Sequence, residues 1–324
     1  MVQVKQIAGI AAGFIALAVW LVGPLAGKPA AGSPSAGQGQ GPTVTGNPPP
    51  TAEQIRALTK RAIESQHRDD QAFLQYARTE HSVTHKGENG QGVTDIIERR
   101  VPSPAGDLKI KIEENGAAVS PEQYREELEF AVHALENAGH PDERYREAVE
   151  KYDKRLHDRA ELVDTAARAF RITWAGRESR ADSTAAHTER TLAKFFLDPN
   201  PEFKPVNRFD TFFQHVHATI WVDEEQAQFA RMEADIATDV TFGGGVAGKV
   251  YRGGRIVMEQ SEVAPGIWLP TLFSYDVDGR KFLFAFGVHE RAEISDYRRV
   301  GSAAQVLELL RDELNTLSAA KPAR

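Results

Sequence analysis

QFARMEADIATDVTF, residues 228–242, has a period of two: Ala230, Met232, Ala234, Ile236, Val240 and Phe242 fall on one side, Arg231, Glu233, Asp235 and Asp239 on the other. Successive side chains of a strand point to opposite faces, so this stretch reads as a β-strand with one apolar and one wet face. KFLFAFGV, residues 281–288, repeats the pattern with Phe282, Phe284, Phe286 and Val288. A sheet of such strands must cover its apolar side, and one-sided burial is characteristic of antiparallel sheets.

The neighbouring segments extend the same reading. RAFRITWAGRES (168–179), HTERTLAKFFLD (187–198), HATIWVD (217–223), GKVYRGGRIVMEQSEV (248–263), IWLPTLFSYDV (267–277) and RKFLFAFGVHERAEI (280–294) all read as strands. Asp278-Gly279 is a hairpin signal between the last two, and VDEEQ suits a tight link after HATIWVD. Sequential strands joined this briefly are antiparallel neighbours. Upstream, residues 73–86, 93–101 and 107–115 read as three long strands, with Asn115-Gly116 as a possible turn after the third.

Helices frame and interrupt the strands. Thr51 can N-cap AEQIRALTKRAIESQ, whose stripe is Ile55, Leu58, Ala62 and Ile63. Residues 120–169 form a helical insertion in two pieces, the first with Tyr124, Leu128, Ala131, Val132 and Leu135 on one face. A last helix, Ala303 to Leu317, carries Val306, Leu307, Leu310 and Leu314. The fold class is therefore α+β: a curved antiparallel sheet, an unclosed half-barrel, covered by helices. The expected domain is 51–318, with the insertion at about 120–169 and a short tail at 319–324.

Composition narrows the function. The 324 residues are 41% hydrophobic and 26% charged, enough to bury a core. A formal charge of −7 and a pI of about 5.9 provide no basic field for a phosphate backbone, so nucleic acid is not an expected partner. With no cysteine there is no disulfide, no thiolate metal site and no acylated cysteine anchor. Gln6 to Gly27 is a run of 22 residues without charge, long enough at about 1.5 Å per residue to cross roughly 30 Å of hydrocarbon. Residues 1–28 are read as a signal-anchor helix or a cleaved signal peptide, and the Gly/Pro/Ser-rich 29–50 as a disordered linker. The rest of the chain is then expected in the periplasm or cell envelope, tethered to the inner membrane by residues 7–26, or secreted if cleaved.

The phrase FLDPNPEFKPVNRFDTFF, Phe196 to Phe213, together with HATIWVDEEQAQFARMEADI, VTFGGGVAGKVYRGGR, EQSEVAPGIWLPTLFSYDVDGRKFLFAF and Tyr297-Arg298-Arg299, resembles the LolA/LolB/LppX-like half-barrel proteins, the outer-membrane lipoprotein-sorting group, over about Thr51 to Val300. The resemblance implies that the concave side of an unclosed barrel holds acyl chains beneath helical lids. The partners it implies are a lipid acyl chain or a lipidated protein. Met232, Ile236, Phe282, Phe284 and Phe286 are the expected ligand-cavity residues.

Other chemistry fits poorly. Gly243 to Val250 has the Gly-x4-Gly-Lys of a phosphate loop but lacks the following Ser or Thr and precedes a strand, so a bend or bulge is expected. His215 and His217 would share a strand face and could hold a metal with His81 or His85, yet paired histidines alone do not supply the ligand count. His289-Glu290 lacks a helix and a second histidine; Asp276 and Asp278 lack the length of a calcium loop. The expectation is a non-enzyme with no catalytic residues, no metal and no cofactor, serving as a lipid or lipoprotein carrier. The alternative is an envelope sensor or scaffold that binds another protein through a filled-core half-barrel.

Overall fold

The computed structural model of the chain describes residues 48–86, 92–139, 141–181, 189–207, 210–242, 248–282 and 284–319. The N-terminal apolar segment and most of the linker therefore lie outside the described residues. In chain order the elements are α1 (Ala52–Phe73), β1 (Tyr76–Lys86), β2 (Gly92–Val101), β3 (Leu108–Glu114), β4 (Ala117–Ala118), α2 (Pro121–Glu136) and α3 (Glu143–Ala169). There follow β5 (Phe170–Ala181), β6 (Glu189–Pro199), β7 (Val216–Asp223), β8 (Gln228–Ile236), β9 (Val240–Phe242) and β10 (Gly248–Val250). The last elements are β11 (Arg255–Ala264), β12 (Ile267–Lys281), β13 (Phe284–Arg299) and α4 (Ala303–Ala319). The fold is α+β, and every pairing given by register is antiparallel.

The described chain divides into two compact units. The first takes residues up to 69, 84–93 and 159–291. Its strands run β13-β12-β11-β8-β7-β6-β5, with β10 pairing the end of β12 and β9, and the path ends at β5 without closing. Helix α1 starts where the sequence indicates: the Thr51 side chain accepts from the Gln54 amide at 3.2 Å and the Gln54 side chain accepts from the Thr51 amide at 2.8 Å. That reciprocal pair satisfies two donors that the first helical turn leaves open.

The hairpin between β12 and β13 departs from the sequence reading. Asp278 and Gly279 lie inside β12, and the turn falls at Phe282, which takes a left-handed φ of 53°. The cause is pairing with β10, which sets Val250 opposite Gly279, Lys249 opposite Arg280 and Gly248 opposite Lys281, and so continues the strand beyond the turn-forming dipeptide. Gly279 is required there for space. A Cβ on it would lie 2.5 Å from the Lys249 carbonyl oxygen and 2.5 Å from Cζ of Phe286.

The second unit takes residues 70–83, 94–158 and 292 onward, with strand order β4-β3-β2-β1-β13. Asn115 and Gly116, both at positive φ, turn β3 into β4 as the dipeptide indicates. One face packs under α2 and α4: Val101 and Ile110 meet Leu128, Ala131, Val132 and Leu135 of α2 and Val306 and Leu310 of α4. The opposite face carries buried ions. Arg100 donates to Glu80 at 2.6 Å with both side chains under 5% exposed, and Glu98 lies 3.2 Å from Arg100. Fully buried Arg78 pairs with Asp107 and stacks 4.2 Å over the Phe73 ring. Burial raises the Glu80 carboxyl despite Arg100 and Arg78, and lowers the Lys109 ammonium. These directions mark a poorly solvated environment.

Two stability outcomes follow from this packing. Gly279→Val should cost about 1–3 kcal/mol in urea unfolding, since neither the backbone oxygen nor the packed Phe286 ring can yield freely. Arg100→Met should cost about 3–5 kcal/mol by leaving Glu80 buried without its hydrogen-bonded partner, whereas Arg100→Met with Glu80→Leu should cost less, because the uncompensated charge is gone.

Candidate functional site

Antiparallel register in the first unit lines up apolar side chains across six strands. Trp174, Phe195, Ile220, Met232, Met258 and Phe273 stand opposite one another in turn from β5 to β12. A parallel row runs Ile172, Leu197, Ala218, Ala234, Ile256 and Tyr275. Directly opposed residues share a face. These two rows therefore form one apolar surface. Trp174 and Phe195 meet edge to face at 5.4 Å, and Phe273 stacks with Tyr275 at 6.5 Å.

Helix α1 covers part of this surface. Leu58 and Ala62 join Ala193, Phe195, Ile220 and Val222 in one buried cluster, with Ile55, Phe229 and Met232 packed against it. Farther along, the buried side of α1 turns polar: Ser65, Gln66 and Asp69 are all buried. Gln260 of β11, 1% exposed, donates to Gln66 at 3.1 Å. His67 also meets Asp164 of α3 at 3.0 Å. The apolar grip of α1 on the sheet is thus confined to its first half, and hydrogen bonds hold the second.

The expected ligand residues are distributed along this geometry. Met232 is half-buried within the α1-covered cluster. Ile236 ends β8, buried, opposite Val216 and close against Gly254. Phe286 is half-buried with its ring edge at Gly279. Phe282 is not gathered with them; it sits at the turn, 46% exposed. The side chain of Phe284 lies outside the described residues. Phe195, Ile220, Met258 and Phe273 share the surface and were not singled out by sequence, although the alternation in IWLPTLFSYDV was a usable signal for Phe273.

A bulge also interrupts the pattern read from residues 228–242. Trp221 faces Arg231 while Val222 faces Phe229, so Ala230 has no opposite residue. Ala230 consequently joins Leu192, Trp221 and Trp268 on the other face, and Phe229 joins Met232. That other face is a lattice of ion pairs over indole rings. Lys194 bonds Glu178 at 2.6 Å and lies 4.9 Å from the Trp221 ring, whose Nε1 donates to Glu178 at 2.7 Å. Arg180 bonds Glu259 at 2.6 Å, and Arg231 pairs with both Glu233 and Glu259.

The histidines are each engaged separately. His215 meets Thr238 at 2.7 Å, His217 meets Asp198 at 2.6 Å and His81 meets Asp95 at 2.7 Å; burial lowers the His215 imidazole. Among the described residues no group of three or more His, Asp or Glu side chains is placed to hold a metal ion. The five residues 243–247 of the glycine-rich segment lie outside the described residues. In the second unit a cleft of about 790 Å³ is lined by Glu114, Glu126, Glu127, Lys111 and Phe130 among others. Its carboxylates are the wrong chemistry for an acyl chain. No helix among the described residues is long and apolar enough to cross a membrane.

No protein-family model matches the chain, and no curated protein sequence matches it. Among solved structures the chain is similar to a domain designated an outer membrane lipoprotein-sorting protein domain from Vibrio parahaemolyticus, at 8% identity and a TM-score of 0.29, over 74% of this chain and 92% of that one. It is also similar to a DUF1329 family protein from Desulfovibrio piger, at 12% identity and a TM-score of 0.25, over 76% of this chain and 93% of that one.

Proposed function

We propose that this chain is an exported, membrane-associated, non-catalytic binder of acyl chains, carrying a lipid or a lipid-modified polypeptide on the α1-covered face of its first unit. One observation supports this reading above the others: an apolar surface two rows deep and six strands wide lies beneath a helix whose apolar hold is limited to Ile55, Leu58 and Ala62. Lifting α1 exchanges the Gln66–Gln260 bond for bonds to water at small net cost. An acyl chain then takes the place of the helix against Met232 and its neighbours, and the unbranched thioethers of Met232 and Met258 adapt to it. About ten buried methylenes at about 0.8 kcal/mol each contribute about 8 kcal/mol, comparable with the roughly 8.2 kcal/mol of a micromolar Kd before association costs. The uncharged run at residues 7–26 places this activity at a membrane of the cell envelope.

The scaffold reading draws on a different observation, the burial of Phe195 at 2% and Phe273 at 1%, which suits a core that is already full. The two readings separate by experiment. The chain has no cysteine, so Gln66→Cys with Gln260→Cys can be bridged selectively by a short reducible cross-linker. The bridged protein should lose uptake of a fluorescent acyl probe, and reduction should restore it; uptake unaffected by the bridge would move the ligand elsewhere. Met232→Glu should stay folded, with a cooperative melt, and lose about tenfold or more in probe affinity, because acyl contact would desolvate the new carboxylate. Loss of the melt would favour the filled core.

A further inference from the structure

The turn at Phe282 is chemically unusual. A left-handed turn position is normally filled by Gly, Asn or Asp, because a bulky side chain is strained there. Here a phenylalanine occupies it at φ 53° and is 46% exposed, although Asp278-Gly279 lies only three residues upstream. The strain and the exposure both work against the fold, and backbone outliers of this kind tend to collect at functional positions.

The surroundings of Phe282 are cationic and aromatic. Register sets Lys249 of β10 directly opposite Arg280 of β12, a like-charge cross-strand pair that is unfavourable by itself. Lys249 also bonds Asp239 at 2.6 Å and lies 5.5 Å from the Tyr251 ring, which is 36% exposed. Tyr251 is tied to this end of the hairpin by its amide, which donates to the Asp278 carbonyl at 2.9 Å, and exposed Arg252 follows it. An exposed Phe at a strand tip, a half-exposed Tyr beside it and a collar of Lys249, Arg252 and Arg280 match the chemistry of a bilayer interface. Aromatic rings settle at headgroup depth, and cations attract anionic headgroups.

We propose that the β12–β13 hairpin tip is a contact surface for an anionic lipid bilayer, with Phe282 as the side chain that enters it. An anionic surface relieves the Lys249–Arg280 repulsion and gives the strained Phe282 an apolar environment. The contact is separate from acyl binding under α1, so either can fail without the other.

The test uses the full chain and its lack of cysteine. Ala285→Cys, at an exposed position three residues from Phe282, carries an environment-sensitive fluorophore; Val206→Cys, at a position 93% exposed elsewhere in the first unit, carries the same label as a control. Both proteins are mixed with vesicles of phosphatidylcholine and phosphatidylglycerol containing a nitroxide-labelled acyl chain. The label at 285 should shift to the blue and be quenched on anionic vesicles, should respond weakly on pure phosphatidylcholine, and should lose most of its response in high salt or with Lys249→Glu and Arg280→Glu. Adding Phe282→Asn should abolish the response while thermal stability holds or rises, because Asn tolerates the left-handed conformation. A label at 285 that stays water-exposed on anionic vesicles, a control at 206 that responds equally, or an unchanged response in Phe282→Asn would overturn the proposal.

Discussion

Antiparallel pairing determines which side chains meet, and across β5, β6, β7, β8, β11 and β12 it sets Phe195, Ile220, Met232, Met258 and Phe273 in one continuous row. A sheet with such a face cannot leave it in water, because the apolar area removed from solvent is the main favourable term in folding. The position of α1 follows from this. Its Leu58 and Ala62 reach the row, and its later turns approach the sheet through Ser65, Gln66 and Asp69 instead. The cover is therefore strong at one end and exchangeable with water at the other, which gives the proposed acyl site a physical route of entry.

The reverse face of the same strands meets a different requirement. Strand alternation sends Lys194, Arg231, Glu233 and Glu259 outward, where ion pairs and indole rings satisfy them without burial of free charge. Exposed pairs of this kind add little stability, but they keep a broad sheet face wet. The second unit inverts the arrangement. Two helices fill one face with aliphatic side chains, while the other holds Arg78, Glu80 and Arg100 away from water. Burying those ions is costly unless each keeps its partner, so the hydrogen bond from Arg100 to Glu80 ties β1 to β2 in a single register.

Much of the architecture was legible along the chain because its signals are local. The cap at Thr51, the stripe of Leu58 and Ala62, the Asn115-Gly116 turn and the two-residue alternation of the strands need only a few neighbouring residues to act. Hence the α+β class and the antiparallel sheet could be read directly, as could the existence of an apolar face bearing Met232 and Ile236. What the chain alone left open was set by contacts between distant residues. Opposition to β7 creates the bulge that sends Ala230 to the other face, and no property of residues 228–242 announces it. Pairing with β10, and the absence of space at Gly279, move the last turn from Asp278-Gly279 to Phe282 and take that phenylalanine off the apolar surface. Sequence determines which side chains prefer burial, since that preference belongs to each residue. Tertiary structure decides which of them are buried together, since register, bulges and turn position are properties of two strands at once.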